Sequence, residues 1–406
     1  MSSRIVLVVN AGSSSLKFSV FLLDDTDILQ LATRGQIDGI GSQPHLCVRD
    51  VTGSVVAERD FAINEISNVQ QAIGFAGVWL SEYFQDARLF AVGHRVVHGG
   101  TNYSHPVLVD ETVFAALEQL IPLAPLHQPH NLAAICAVRE VQPQVPQIAC
   151  FDTAFHRTHP QIADLYALPW EYYESGVRRY GFHGLSYEYI ATTLPKVAPA
   201  LAEGRVIVAH LGSGASLCAM QAGKSLDSTM GFSPLDGVPM GTRPGALDPG
   251  VLLHLINQCG LSGADLEKLL YRESGLLGLS GISNDMRVLL ESRKPRAQLA
   301  IEYFVHYTIK QIGAFTAVLG GIDGLVFTAG IGEHSPVIRA RILQGCTWLG
   351  VSVDANANAN ANARGGLRIS MEDSPVAAWV IPTDEEWMIA HHTLALLFNK
   401  ESGHDN

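Results

Sequence analysis

Residues 4–21 read RIVLVVNAGSSSLKFSVF, and residues 205–220 read RVIVAHLGSGASLCAM. Each is a run of β-branched and aliphatic residues, then a turn of glycine and serine, then a second apolar-alternating run. That order describes a β-hairpin whose tip is almost bare backbone. With no side chains in the way, amide N–H groups at the tip can approach an anion and form a nest for phosphate. Either hairpin alone reads equally well as an ordinary tight turn. Neither has the Gly-Lys-Ser/Thr ending of a Walker loop, and neither is a GxGxxG. The repetition decides. Two such units predict two related half-domains facing one polyphosphate, and so a nucleotide enzyme.

Composition bounds the rest. The chain has 406 residues, a length that predicts roughly two to three domains. At 47% hydrophobic and 16% charged residues it buries a large core. A formal charge of −12, with no basic stripe, argues against non-specific nucleic-acid binding. An anionic substrate must then be held by local Arg and Lys against the overall field. Six cysteines are scattered without CxxC pairing, the usage of a reduced, cytoplasmic protein. The chain enters a strand straight after MSSR, with no secretory h-region. The apolar stretch 314–331 is interrupted by Asp323 and glycines, so it reads as buried core and not as a membrane span.

Patterning predicts strands at 5–9 and 16–23, a weaker pair around 45–56, and further strands at 90–97, 147–151, 325–328 and 377–381. Helical periods fall at 69–84, 111–120, 132–141, 249–259, 263–270, 298–319 and 385–398. Residues 153–184 read as loop, residues 329–332 as a glycine turn, and the NANANANA tract at 356–363 as a polar surface loop. Strands interleaved with helices, built twice, imply an α/β architecture with mixed sheets flanked by helices and a cleft between the halves.

Eight further segments are dense in chemistry: 93–100 (GHRVVHGG), 125–131 (PLHQPHN), 151–155 (FDTAF), 180–186 (YGFHGLS), 240–249 (MGTRPGALDP), 281–287 (GISNDMR), 328–334 (TAGIGEH) and 382–386 (PTDEE). With the two hairpins, in this order, the chain closely resembles the acetate kinase family from residue 9 to 387. The resemblance implies two duplicated actin-like, ribonuclease H-like α/β domains of the sugar kinase/Hsp70/actin superfamily. It sets the first at 1–152 plus 387–406 and the second, with the nucleotide site, at 153–386. It also implies a homodimer, and a reversible transfer of phosphoryl from ATP to acetate, giving acetyl phosphate and ADP, with Mg²⁺ (Mn²⁺ substituting).

Phosphoryl transfer needs positive charge around a metaphosphate-like centre. Arg95 and Arg243 suit this, being permanently charged and able to fork onto carboxylate or phosphate. Each is read here as sitting in a glycine-flanked turn. By resemblance His183 bridges the transferred phosphoryl group and His127 lines the same site. A lone histidine is more often structural, and the HxxH pairs His127/His130 and His156/His159 lack the further ligands zinc needs. Asp152 follows a short strand directly, where carboxylates of α/β sheets project. The resemblance puts it near Mg²⁺ and the moving group. It selects Glu385 as a water-linked Mg²⁺ acid, although Asp384 and Glu386 could equally satisfy the helix dipole there. Asn10, also assigned to the metal, stands with Ser14, Ser15 and Lys17 at the first phosphate-facing turn. His210, Leu211, Gly212, Ser213 and Gly214 form the second, with Ser213 where relatives usually carry Asn.

Asp285, Met286 and Arg287 match the family's adenosine contacts, and Gly330, Ile331 and Gly332 the turn beneath the nucleotide. Val97 lies two residues beyond Arg95, so on a strand both side chains share a face. Arg95 would take the acetate carboxylate and Val97 would wall off its methyl. The resemblance adds Leu126, Phe182 and Pro234 as further walls. Two rivals stay open: a propionate or butyrate kinase on the same scaffold, and an actin- or Hsp70-like ATPase.

Overall fold

The computed structural model describes residues 3–24, 26–361 and 366–401. Two compact units divide the chain, Met1–Ala154 with Asp384–Asn406, and Phe155–Thr383.

The first unit holds β1 (Arg4–Ala11), β2 (Ser15–Leu23), β3 (Leu29–Asp38), β4 (His45–Asp50), β5 (Val55–Asp60), β6 (Arg88–Val96), β7 (Val107–Leu108) and β8 (Gln147–Phe151). They form one mixed sheet in the order β5-β4-β3-β2-β1-β6-β8-β7. β1 and β2 are the expected hairpin, antiparallel from Arg4↔Leu23 to Ala11↔Leu16. β6 runs parallel to β1, and β8 parallel to β6. Central strands are covered on both faces, which is why β1 and β8 read as unbroken apolar runs.

The second unit repeats the plan with β9 (Arg205–Leu211), β10 (Ala215–Gln221), β11 (Lys224–Ser228), β12 (Gly324–Thr328), β13 (Leu367–Arg368) and β14 (Ala377–Val380), ordered β11-β10-β9-β12-β14-β13. β3-β2-β1-β6-β8 and β11-β10-β9-β12-β14 have the same directions: an antiparallel trio, then two parallel neighbours. At each hairpin tip the first glycine amide donates back across the turn, over three residues in the first and two in the second. The Gly12 amide donates to Ser15 O at 2.8 Å, and the Gly212 amide to Gly214 O at 3.0 Å. Two mixed sheets flanked by helices are the architecture expected.

Helices cover the sheets through single apolar stripes. Helix Val69–Tyr83, capped by the Asn68 side chain, buries Val69, Ala72, Ile73 and Ala76, a 3.6-residue period. Burying one such aliphatic side chain is worth about 1.5–3 kcal/mol. Helix Pro295–Val318 buries Ala297, Ile301, Phe304, Thr308, Ile312 and Phe315 in the same way. The terminal helix Glu385–Glu401 lies on β6, and Gly93 makes this possible. A Cβ at residue 93 would stand 2.4 Å from Thr393 Oγ1 and 2.6 Å from Ile389 Cγ2.

Five local readings need correction. Residues 153–184, read as loop, carry the short helices Gln161–Asp164 and Trp170–Glu174. β3 was not predicted, because the buried face of LQLATRGQID carries Thr33 and Gly35, which weaken its apolar alternation. Arg95 lies within β6 and not in a turn. Residues 329–332 belong to a helix, Ala329–His334, whose first residue takes a left-handed φ of 63°. The alanine–asparagine tract is also helical over Ala355–Ala359, because the Asp354 side chain accepts from the amides of Asn356 and Ala357. Residues 362 and 363 of that tract lie outside the described residues, as do 1, 2, 25 and 402–406 of the first predicted domain and 364 and 365 of the second.

Candidate active site

In the first unit, three carboxyl or amide groups gather on one guanidinium. Arg95 projects from β6 and forks onto Asp152, with Nε donating to Oδ1 at 2.9 Å and Nη2 to Oδ2. Its Nη1 donates to Asn10 Oδ1 at 3.3 Å, and Nε lies 3.8 Å from Glu385 Oε2. Neighbouring parallel strands place these groups together: Asn10 is the penultimate residue of β1, Arg95 that of β6, and Asp152 follows β8. Asp152 is buried. Burial alone would lower the Arg95 guanidinium, but the Asp152 and Glu385 carboxylates outweigh it and hold it above its ordinary value.

Glu385 opens the terminal helix. The choice among the three acids there is structural. Asp384 is the cap, with Oδ1 accepting from the Trp387 amide at 3.0 Å and Oδ2 from Arg34 Nη2 at 2.7 Å. Glu385 is left to face Arg95. Burial pushes its carboxyl up to about 7, with Arg95 pulling down and Asp152 and Glu386 pushing up. Lys17 stays exposed on β2 but lies near enough to act on that carboxyl. Ser14 is exposed in the hairpin tip.

Val97 follows β6 directly and is buried; its amide donates to Asn131 Oδ1 at 3.0 Å. Asn131 Nδ2 donates in turn to Ala11 O at 2.8 Å, tying residue 97 to the end of β1. Asn131 closes the PLHQPHN segment, and neither its spacing nor the family resemblance assigns it a role. Leu126 and His127 are half-buried, and His127 stands at the start of helix Gln128–Val141.

In the second unit, the tip of the β9–β10 hairpin is the floor of a compact site. A Cβ at Gly214 would lie 2.6 Å from Arg243 Nη2 and 3.2 Å from His183 Nε2. The arginine and the histidine therefore rest on the same stretch of bare backbone. Arg243 is held by Nη1 donating to Pro234 O at 2.8 Å. His183 adopts a left-handed φ of 60°, a conformation costing a non-glycine residue about 1–3 kcal/mol. Its Nδ1 meets Ser216 Oγ at 2.8 Å, and its ring stacks on His210 at a centroid distance of 4.1 Å. His210 Nδ1 meets Ser186 Oγ at 2.8 Å.

The segment before His183 is anchored from below. His156 Nε2 donates to Phe182 O at 3.0 Å, so Nδ1 must accept from the Ser225 hydroxyl, 2.8 Å away. His159 Nε2 meets the same hydroxyl at 2.7 Å, which turns both histidines of this pair onto Ser225. Burial holds the His156 ring well below its ordinary value. Phe182 and Pro234, predicted as acyl walls, are both buried, and each is joined to a residue predicted to touch the phosphoryl group. The supports Ser186, Ser216 and Ser225 were not predicted, nor was Tyr187, whose hydroxyl meets Ser216 Oγ. Only Ser216, two residues past Gly214 and so on the same face of β10, carried a usable signal.

Beside this floor lies a cavity of about 640 Å³. Gly212, Ser213, Asp285, Met286, Arg287, Gly330 and Ile331 line it, together with Asn284, Leu290 and residues 334–337, which were not predicted. Asp285 caps helix Met286–Glu291 and pairs with the exposed Arg287 at 2.6 Å. The glycines at 212 and 330 leave backbone at the wall. Leu211 and Gly332 are buried beneath it.

A family model described as the Acetokinase family matches residues 5–391. The acetate kinase of Nitrobacter hamburgensis is 54% identical over 397 residues, covering 98% of this chain and 97% of that protein. That of Rhizobium meliloti is 52% identical, covering 97% of this chain and 98% of the relative. Among solved structures, Porphyromonas gingivalis acetate kinase matches with a TM-score of 0.87 at 35% identity, covering 97% of this chain and all of that one, 100%. A propionate kinase from Francisella tularensis matches with a TM-score of 0.88 at 34% identity and the same coverage. Fold and matches together define a phosphotransferase of actin-like architecture whose acceptor is a carboxyl group. The chain belongs to the acetokinase family.

Proposed function

We propose that this chain is an ATP-dependent acetate kinase, transferring the γ-phosphoryl of ATP reversibly and directly to acetate. The observation that carries the reading is the floor at Gly214. There a guanidinium and an imidazole lie on one glycine turn, and the two preceding residues of that turn, Gly212 and Ser213, line the 640 Å³ cavity. An acetate carboxylate oxygen attacks the γ-phosphorus in line while the bond to the β,γ-bridging oxygen breaks. The electron pair leaves with ADP. No general base is needed, because a short carboxylic acid is ionised at neutral pH.

Arg243 and His183 neutralise charge on the equatorial oxygens as the phosphoryl group loosens. Arg95 receives the acetate carboxylate, with Asp152 fixing its fork. Val97, Leu126, His127, Phe182 and Pro234 bound the acetyl group. Lys17, Ser14, His210, Leu211, Gly212, Ser213 and Gly214 serve the phosphates. Asp285, Met286, Arg287, Gly330, Ile331 and Gly332 serve the nucleoside.

Asn10 and Glu385 suit Mg²⁺. Their donors are hard oxygens, and few protein ligands suffice for an ion that keeps water and phosphate in its shell. Burial and neighbouring acids leave Glu385 with a carboxyl raised to about 7, a place where a cation is welcome. Mg²⁺ would neutralise phosphate charge there, and Mn²⁺ has the same donor preference. The family reading further takes the enzyme as a cytoplasmic homodimer. Among the described residues no helix is long and apolar enough to cross a membrane.

Propionate is the second reading, favoured by the Francisella tularensis match. Trapping acyl phosphate as hydroxamate, with acetate, propionate and butyrate offered separately, tests both. Acetate should give the highest kcat/KM. ATP hydrolysis without acyl phosphate from any of the three would overturn the proposal in favour of an ATPase.

A further inference from the structure

One wall of the 640 Å³ cavity, residues 334–337, is held from behind by an unusual buried pair. Arg339 is 1% exposed and heads the fully buried side chains by size. Among the described residues no carboxylate pairs with it. Its charge is met by neutral oxygens: Nη1 donates to Gly332 O and Glu333 O, both at 2.9 Å, while Nε donates to Asn358 Oδ1 at 2.8 Å and Nη2 to Asn358 O at 2.7 Å. Burying a cation without an acid is costly, and it is sustained only where the fork is filled.

Asn358 completes the arrangement. Its Nδ2 donates to Pro336 O at 2.9 Å, so both ends of the amide are assigned by their partners. The helix Ala355–Ala359 presents it: the Asn358 amide donates to Asp354 O at 2.9 Å. Of the tract's asparagines at 356, 358 and 360, only Asn358 is buried. Among the described residues of this compositionally featureless stretch, one asparagine therefore has an environment of its own. Three backbone carbonyls, at 332, 333 and 336, are fixed by two side chains. Gly330 and Ile331 of the same short helix, and Pro336 itself, line the cavity.

We propose that Asn358, acting through Arg339, is a positioning residue for the nucleotide, setting the backbone wall that receives its nucleoside. This rests on the reading of the cavity as the nucleotide site. Asn358 touches no substrate, and its loss should move nucleotide affinity without moving the chemical step.

Calorimetric titration with ADP and steady-state kinetics on the full chain test this. Asn358→Ala should raise Kd for ADP and KM for ATP about tenfold, as for loss of a hydrogen bond to a charged group. kcat at saturating ATP and KM for acetate should stay within about twofold of wild type. Asn358→Asp keeps an acceptor for Arg339 but lacks the donor to Pro336, and should raise Kd about threefold; it serves if the alanine variant does not fold. Asn356→Ala and Asn360→Ala, at exposed positions of the same tract, should bind ADP as wild type does. Unchanged ADP affinity in a folded Asn358 variant, even one with a lowered Tm, would overturn the clamp alone. Failure of the wild-type chain to bind ADP would overturn the cavity reading and the clamp with it.

Discussion

Gly214 and Arg243 occupy one space: a methyl group on residue 214 would lie 2.6 Å from Arg243 Nη2. The obstructing atom is the far end of a flexible side chain, so the fold can give way there by moving the guanidinium. Gly214→Ala should therefore leave Tm within a few degrees of wild type and lower kcat by about a hundredfold, the scale of a 1 Å misplacement. Thermal melts and turnover measured on the same preparation check this, and normal kcat in a folded variant would remove Arg243 from the reaction.

Arg243 should matter far more to turnover than to ATP affinity, since its partner charge develops during transfer. Arg243→Ala should lower kcat by about 10²–10⁴-fold, below the ceiling for arginine in phosphoryl transfer. Retention of more than half of wild-type kcat would end the assignment.

Ser213 contributes through its backbone, whose carbonyl accepts from the Gly241 amide at 3.0 Å. Ser213→Ala keeps that bond and should cost only about 0.5–1.5 kcal/mol, a single neutral hydrogen bond. Nucleotide titration with steady-state kinetics decides. A kcat loss above about a hundredfold would show that the hydroxyl acts directly.

Val97 is buried one residue past β6, and its amide is pinned by Asn131. One methylene in such a pocket is worth about 1–3 kcal/mol, so Val97→Ala should raise kcat/KM for propionate relative to acetate by about tenfold. An unchanged ratio would exclude Val97 from the acyl pocket.

His94 predicts a pH effect on stability. Burial pulls its ring down to about 4, against the opposing Nε2 contact to Gln147 Oε1 at 2.8 Å. The unfolded ring titrates near 6.5, so between about 6.5 and 4 the unfolded chain binds a proton that the native chain does not. Stability from this group is complete above about 6.5 and falls toward 4, by up to about 3 kcal/mol. Denaturant melts at pH 7.5 and 5.0 should show a larger drop in wild type than in His94→Gln. Comparing the two chains separates this from Glu385, whose raised carboxyl favours the native state at low pH instead. Equal drops would assign the acid sensitivity elsewhere.

Both hairpins, most buried strands and most of the longer helices were legible in the chain because their causes are local, although helices Gly184–Val197 and Pro336–Gly345 were not read from it. A strand covered on both faces must be continuously apolar, a covering helix must be apolar every three or four residues, and a tip presenting amides must be small. β3 escaped because a one-sided strand with glycine and threonine lacks that contrast. The reactive residues could be singled out by motif, but not their partners. Arg95 meets Asp152 because β6 and β8 are parallel neighbours, and Asp384 takes the helix cap through its own geometry, leaving Glu385 to the arginine.

The sharpest contrast is the alanine–asparagine tract. Its sequence determined only that it is polar, small and repetitive, and by composition every asparagine in it is equivalent. The tertiary structure decided which one matters. The Asp354 cap winds the tract into a helix, a helix presents only one of its faces inward, and on that face Asn358 meets a buried guanidinium from another helix. Burial and hydrogen-bond partnership belong to positions in space, so a pattern along the chain can nominate polar residues but cannot choose among them.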